Sequence, residues 1–520
     1  MRAAATRILL IAAGFALLAG PAPAGTYDAA IKIGAIIFDE EGDLSAVQET
    51  QNIYDGFSLS RLYLAGTVDP RNTFRLDLTE ANLDSRKGTL LYRMPGVVKF
   101  TAAYDQHRQV YDADRAVTSD RNDWRFGLDV GTNKSWLLRT YFNAQQRDGA
   151  RLGYPDGTAS ILGDRYENKL LAGGADLEFR PGPWRLAVAY DYSKFTNDLA
   201  SVTDRTGNVV SVRAFGPCYF APDRYTHMLR ASYGKSEQPD SSLDYELYNF
   251  QYTGVLRVID PVRFKYNLYL NRIDNKSTKL YTDNIQNNFD LVWYTGYGEL
   301  FGGYGYQLND DDRSITKYDV YRLGGTLRWQ NQVTAKVSYA NRTKDDEAKR
   351  TLLQDMEAEQ VRATLEVKPI DDLVIGGRFI DRRREFPDVG VKSEGSVAGG
   401  FANYRMAGWG ALAADYTYYD EEYDNLYGRF QTATHAVTGR IDCDYVENLF
   451  LRAAVTYLKV EEDLDIEKSI LSFEGMYTVA DDYHLEIKYN VYNYDDFVVL
   501  DRYYTANVVW VNVAWDLHFE

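Results

Sequence analysis

Asp481–Asn493 reads DDYHLEIKYNVYN. Two aspartates supply a tight polar turn. Tyr483, Leu485, Ile487, Tyr489 and Val491 then fall on every second position, with His484, Glu486, Lys488, Asn490 and Tyr492 between them. Successive side chains of a strand point to opposite faces, so the segment has one apolar and one polar face. A strict period of two does not fit a helix, whose apolar positions recur every three or four residues.

The same unit repeats along the chain. After Pro183, Trp184, Leu186, Val188, Tyr190 and Tyr192 alternate with polar or small residues; after Pro261, Val262, Phe264, Tyr266, Leu268 and Leu270 do so. Val333, Ala335, Val337 and Tyr339 follow the pattern, as do Leu449, Leu451, Ala453, Val455 and Tyr457. The last strand carries Val509, Val511, Val513, Trp515, Leu517 and Phe519. About five apolar residues per face match an apolar band of ~25 Å crossed by a tilted strand, and the tyrosines at its ends match interfacial girdles. The fold expected is an all-β, antiparallel, up-and-down transmembrane β-barrel.

Short turns rich in Pro, Gly, Asn and Asp open these units at 69–72, 94–96, 132–134, 180–183, 259–261, 295–296, 330–332, 370–372, 407–408, 446–448 and 480–482. These residues suit tight turns, and Pro is excluded from central strands. Longer charged segments, such as 147–165, 309–316, 344–355, 382–392 and 420–428, separate the other strand ends. Short periplasmic turns and long extracellular loops are the outer-membrane arrangement. Eleven turns imply about 24 strands, with a range of 22 to 26 because the parity between Phe195 and Leu243 does not close. Such a barrel is roughly 45 Å across, too wide for its own side chains to fill.

Composition agrees. Of 520 residues 42 are Tyr and 14% are aromatic, yet the mean hydropathy is −0.42. A barrel needs apolar residues on its lipid face only. The net charge of −17 disfavours a nucleic-acid partner. Residues 1–24 read as a signal peptide: Arg2 and Arg7, an apolar run from Ile8 to Gly20, then Ala22-Pro23-Ala24. Residues 25–520 then form a single outer-membrane barrel domain, exported to the Gram-negative outer membrane and clients of its barrel-assembly machinery. Outer-membrane lipid and lipopolysaccharide surround it.

Little points to chemistry. The five histidines lack metal-ligand spacing, and two cysteines cannot frame a disulfide scaffold. No nucleophile motif or CxxCH occurs, so neither catalysis nor a cofactor bound by this chain is expected. The acidic clusters 309–312, 345–347 and 420–422 lack the ligand ladder of a calcium loop. Lumen-facing candidates by alternation are Arg185, Arg263, Lys265, Lys336, Arg452 and Lys488. They are offset by Asp77, Asp191, Asp415 and Glu486. No ring of one sign stands out among them, as a strongly ion-selective pore would require.

The units VDPRNTFRLDL, RMPGVVKFTAAY, RPGPWRLAVAYDY and VIDPVRFKYNLYL resemble the MtrB/PioB-type decahaem-associated outer-membrane proteins, and so does DRYTHMLRASYGKSEQPDSS. The resemblance is one of pattern over most of the chain. It implies a barrel that sheathes and inserts a periplasmic multihaem c-type cytochrome, with a further multihaem cytochrome at the cell surface. The haem of that partner would make a transmembrane conduit for extracellular electron transfer. Some members carry an N-terminal cysteine pair, whereas the cysteines here are Cys218 and Cys443. The alternative expectation is a passive general porin for small solutes. A TonB-type transporter is disfavoured, because its plug would precede a barrel that here begins within a few residues of Gly25.

Overall fold

In the computed structural model, residues 26–44, 47, 53–69, 71–110, 118–131, 135–150, 165–199, 203–241, 243–312, 314–347, 355–425, 428–498 and 502–519 are described. They form one antiparallel sheet of 26 strands. The first eight are β1 (Tyr27–Gly42), β2 (Gly56–Asp69), β3 (Asn72–Thr79), β4 (Lys87–Met94), β5 (Val98–Val110), β6 (Thr118–Val130), β7 (Trp136–Ala150) and β8 (Arg165–Phe179). Then come β9 (Arg185–Asn197), β10 (Arg205–Cys218), β11 (Ala221–Gln238), β12 (Leu243–Ile259), β13 (Val262–Asn275), β14 (Leu280–Thr295), β15 (Gly298–Asp310), β16 (Ile315–Trp329) and β17 (Val333–Asp346). The last are β18 (Met356–Ile370), β19 (Leu373–Phe386), β20 (Val391–Met406), β21 (Gly410–Asn425), β22 (Gly428–Cys443), β23 (Leu449–Glu462), β24 (Ile466–Ala480), β25 (Tyr483–Asp496) and β26 (Arg502–Phe519). Each strand pairs with its sequence neighbours, and β1 pairs with β26 over sixteen positions, from Tyr27 opposite Phe519 to Gly42 opposite Tyr504. The sheet therefore closes and has no free edge. Closure is what lipid demands, since it offers no partner for an unpaired backbone group.

Two strands more than the expected 24 are present, and they come from the stretch whose parity did not close. β10 pairs with both β9 and β11, and Tyr219-Phe220 is the turn between β10 and β11. That turn has neither Gly nor Asn, and Pro217 and Pro222 flank it inside strand ends, where register shifts between Pro217 and Cys218. Prolines at an irregular strand end need not donate to the ladder, so they do not exclude a strand there. At ~4.8 Å spacing and a tilt of ~40°, 26 strands make a barrel roughly 50 Å across.

The charged segments are also shorter as loops than expected. Arg382–Phe386 belongs to β19 and Asp420–Asn425 to β21, so the strands run on beyond the apolar band at the long-loop end. The turn expected at 132–134, the 1–24 leader and Pro70 lie outside the described residues. Elsewhere the short turns fold as expected: Asn331 and Asn448 sit at φ of 57° and 65°, the left-handed region that Asn tolerates.

The apolar face of each strand points outward. Leu485, Ile487, Val511 and Val513 are solvent-exposed in the isolated chain, which is where lipid would cover them. Rings from neighbouring short-turn ends stack in pairs: Tyr297 on Trp329, Trp409 on Tyr445, and Tyr483 on Trp515. These pairs make the periplasmic aromatic girdle. Tyr104 with Trp124 and Tyr304 with Tyr321 lie further up the outer face.

Candidate lumenal site

The second face of every strand lines the lumen, and cross-strand ion pairs organise it. Asp77 on β3 accepts from Arg61 (2.9 Å) and Arg75 (2.9 Å). On β7 to β10, Asp176 and Glu178 gather Arg139, Arg180 and Arg213. Such part-exposed pairs each contribute only about 0.5 kcal/mol. Their joint effect is register, because a slip of one residue would send each charge to the lipid face.

The lumenal candidates take these places. Arg185 stands at the periplasmic start of β9, and Asp191 further along accepts the Tyr141 hydroxyl at 2.6 Å. Arg263 lies over the Tyr294 ring, 4.8 Å from its centroid. Lys265 shares a hollow with Asp290, Glu299 and Arg322. Asp415 accepts from Arg378 at 3.0 Å. Arg452 donates through Nε to Asp442 at 2.8 Å, with Glu474 at 3.5 Å from its Nη1. Glu486 pairs with Lys32 on β1, and Lys488 covers the Trp510 ring at 5.4 Å. These residues form no single cluster. They are spread around the wall; ion pairs join Arg452 to adjacent strands, and Asp415 and Glu486 to cations two strands away. Ala187 and Ala189, which alternation alone would leave as open space, are each only 8% exposed between the charged side chains of β8 and β10.

Lys336 belongs to a group that residue-by-residue alternation does not reveal. It stands opposite Thr364 on β18, and Thr364 stands opposite Arg378 on β19. Arg362 is two residues from Thr364 on the same face, opposite Ser338 and Ile380. Three cations thus surround one threonine. Only register brings them together, since the chain separates Lys336 from Arg378 by two turns of the hairpin.

A second feature absent from the pattern is the first extracellular connection. Ile36 and Phe38 of β1 and Tyr504, Ala506 and Val508 of β26 face inward, yet all are 8% exposed or less. Val47 from the β1–β2 connection is completely buried against them, with Ile53, Leu83 and Trp510 packed alongside. Val47 thus anchors the connection on the lumen wall, and the Phe38 amide donates to Asp55 at 2.5 Å. Val47→Asp is expected to release it, because a buried, unpaired carboxylate must be expelled to water. Proteolysis between Gly42 and Asp55 should quicken on the order of tenfold, a local opening of about 1.4 kcal/mol, while the barrel stays folded. Unchanged cleavage would show that the packing does not hold the loop.

No family model matches the chain, and no curated protein sequence is similar to it. Solved structures do resemble it. The FrpB iron transporter from Neisseria meningitidis aligns at a TM-score of 0.50 and 8% identity, covering 94% of this chain and 81% of that one. The siderophore receptor PirA from Pseudomonas aeruginosa aligns at 0.49 and 8%, covering 95% and 80%. The ferric yersiniabactin uptake receptor FyuA from Yersinia pestis aligns at 0.47 and 9%, covering 94% and 80%. At these identities the likeness is one of fold, a large outer-membrane barrel, and the chain is an outer-membrane β-barrel. The expected MtrB/PioB-type resemblance is corrected on this finding, because the neighbours are siderophore and iron receptors of another family. The cytochrome-sheathing conduit and the passive porin are corrected with it, as are the multihaem partners. The physical reason is that alternation with Pro/Gly turns is common to large outer-membrane barrels. It carries the wall and not what the wall serves.

Proposed function

We propose that this chain is a receptor-type outer-membrane barrel that captures a bulky solute at its extracellular mouth and admits it to the lumen. The cargo named for the barrels it resembles is iron for FrpB, a siderophore for PirA and ferric yersiniabactin for FyuA. The observation that carries the reading is the packing of Val47 and Ile53 on inward side chains of β1 and β26, an apolar patch near the mouth beside a polar, ion-paired wall. Apolar side chains with a few charged groups beside them are what a ligand site needs. Trp510 lies at this surface and supplies the test. Titration of the purified barrel with ferric chelates should quench tryptophan fluorescence saturably, with Kd in the micromolar range or below, about −8 kcal/mol. Absence of saturable quenching by any ferric chelate, with small sugars passing freely through the reconstituted protein, would overturn the reading.

A further inference from the structure

On β16 to β19 the inner face carries mainly cations, whereas the outer face at the extracellular end mixes Lys317 and Arg383 with carboxylates such as Asp381. Val337, Leu323, Leu365 and Ile375 mark the outer face. Outward at the extracellular end stand Glu357 and Glu359, two residues apart on β18. Inward, from the periplasmic end to the extracellular end, stand Arg328, then Lys336 and Arg378 at one level, then Arg362, Arg382 and Arg342. Among the described residues, the lumenal carboxylates of these four strands are Glu366 near the periplasmic turn and Asp346 at the extracellular end. Asp415 and Glu421, from β21, take one side of Arg378 and Arg382.

We infer that this wall is an anion-binding strip, centred on Lys336, Arg362 and Arg378 around Thr364, that selects multivalent anionic cargo. The inference deepens the receptor reading and rests on it for the identity of the cargo. The register places Lys336 and Arg378 one strand to either side of Thr364, at ~4.8 Å per strand, with Arg362 on the diagonal. Arg378 is held by Asp415 and the Thr417 hydroxyl. Among the described residues Lys336 and Arg362 make no ion pair, and both are exposed to the lumen. Elsewhere on the wall, cations such as Arg61, Arg139 and Arg452 have carboxylates from adjacent strands. Lys336 and Arg362, clustered with the Asp415-bound Arg378 about one hydroxyl, lack that internal neutralisation, and a multivalent anion supplies it. Arg guanidinium and Lys ammonium both donate to carboxylate, catecholate or phosphate oxygens. Such a strip also attracts anions inward although the chain as a whole is acidic, because field within a low-dielectric cleft follows its lining.

The test uses the full chain reconstituted in planar bilayers, with inorganic tripolyphosphate as the anionic probe. Wild type should be blocked, and the double variant Lys336→Gln, Arg362→Gln should need at least tenfold more probe. The single Lys336→Gln variant should fall between them. Folding of each variant is checked by its mobility on a gel before and after boiling. If wild type is insensitive, or the folded double variant is blocked as readily, the inference is overturned. A trianionic ferric tris-catecholate should likewise bind wild type at least tenfold more tightly than a neutral ferric tris-hydroxamate, and equal binding also overturns the inference. Failure of the receptor reading has a different signature: neither chelate binds while the tripolyphosphate block and its loss in the variant remain.

Discussion

Lysine at Ile487 or Leu485 is expected to destabilise the folded barrel by about 2–4 kcal/mol near the bilayer midplane. Ile487 stands on the outer face of β25, opposite Gly475 on β24 and Val511 on β26, and is 47% exposed in the isolated chain. Leu485 lies one outward position nearer the Tyr483–Trp515 girdle, so lysine there can reach the interface more easily and should be the milder change. Lys488→Ala is the matched control on the inner face. It removes a cation–π contact with Trp510, worth about 0.5–1 kcal/mol at an exposed site, and leaves no charge in lipid. Glu486→Ala is a less clean control, because it strips Lys32 of its partner. Reversible denaturant unfolding in lipid vesicles measures all of these. Equal losses on both faces would mean that the alternation has been assigned wrongly.

Gly34→Val is the second large effect expected. Gly34 lies on the seam where β1 closes against β26, opposite Asn512. A Cβ at Gly34 would run into the Val511 carbonyl oxygen and the Asn512 side chain, with the Asn512 Cα at 2.9 Å. Backbone atoms of a paired strand cannot step aside, and an opened seam would leave unpaired amides in lipid. Overpacking of this kind costs about 1–3 kcal/mol. The folded, heat-modifiable fraction after refolding into vesicles should fall accordingly. Gly377→Ala is the control: a Cβ there meets only the Gly399 carbonyl oxygen at 3.5 Å, an ordinary contact, and folding should be almost unchanged.

The wall was legible in the sequence because strand periodicity is local. Tyr483 to Val491 show both faces without any knowledge of their neighbours. β10 was hidden because its turn, Tyr219-Phe220, lacks the residues that usually mark one, and because Pro217 and Pro222 stand where a strand was not expected. The lumenal candidates lie on faces that alternation can name one strand at a time. The cluster around Thr364 needs the registers of β17 with β18 and β18 with β19 together, and no single strand carries that information. The seat of Val47 was illegible for another reason: Leu44, Ala46 and Val47 are all apolar in an acidic stretch, and the burial of Val47 depends on β26, which lies at the far end of the chain. Function was least legible. The motif of short turns and alternating strands resembles more than one family of large barrels, and solved folds corrected the first assignment.

The central claim is a closed barrel whose even-numbered positions on β17 look into water and whose odd-numbered positions look into lipid. Single cysteines placed along β17, in a background with Cys218 and Cys443 replaced by serine, test it directly. In vesicles, a membrane-impermeant maleimide should label positions 336, 338 and 340 rapidly and positions 335, 337 and 339 slowly, if at all. Labelling at equal rates at all six positions, or the opposite alternation, would contradict the barrel as described.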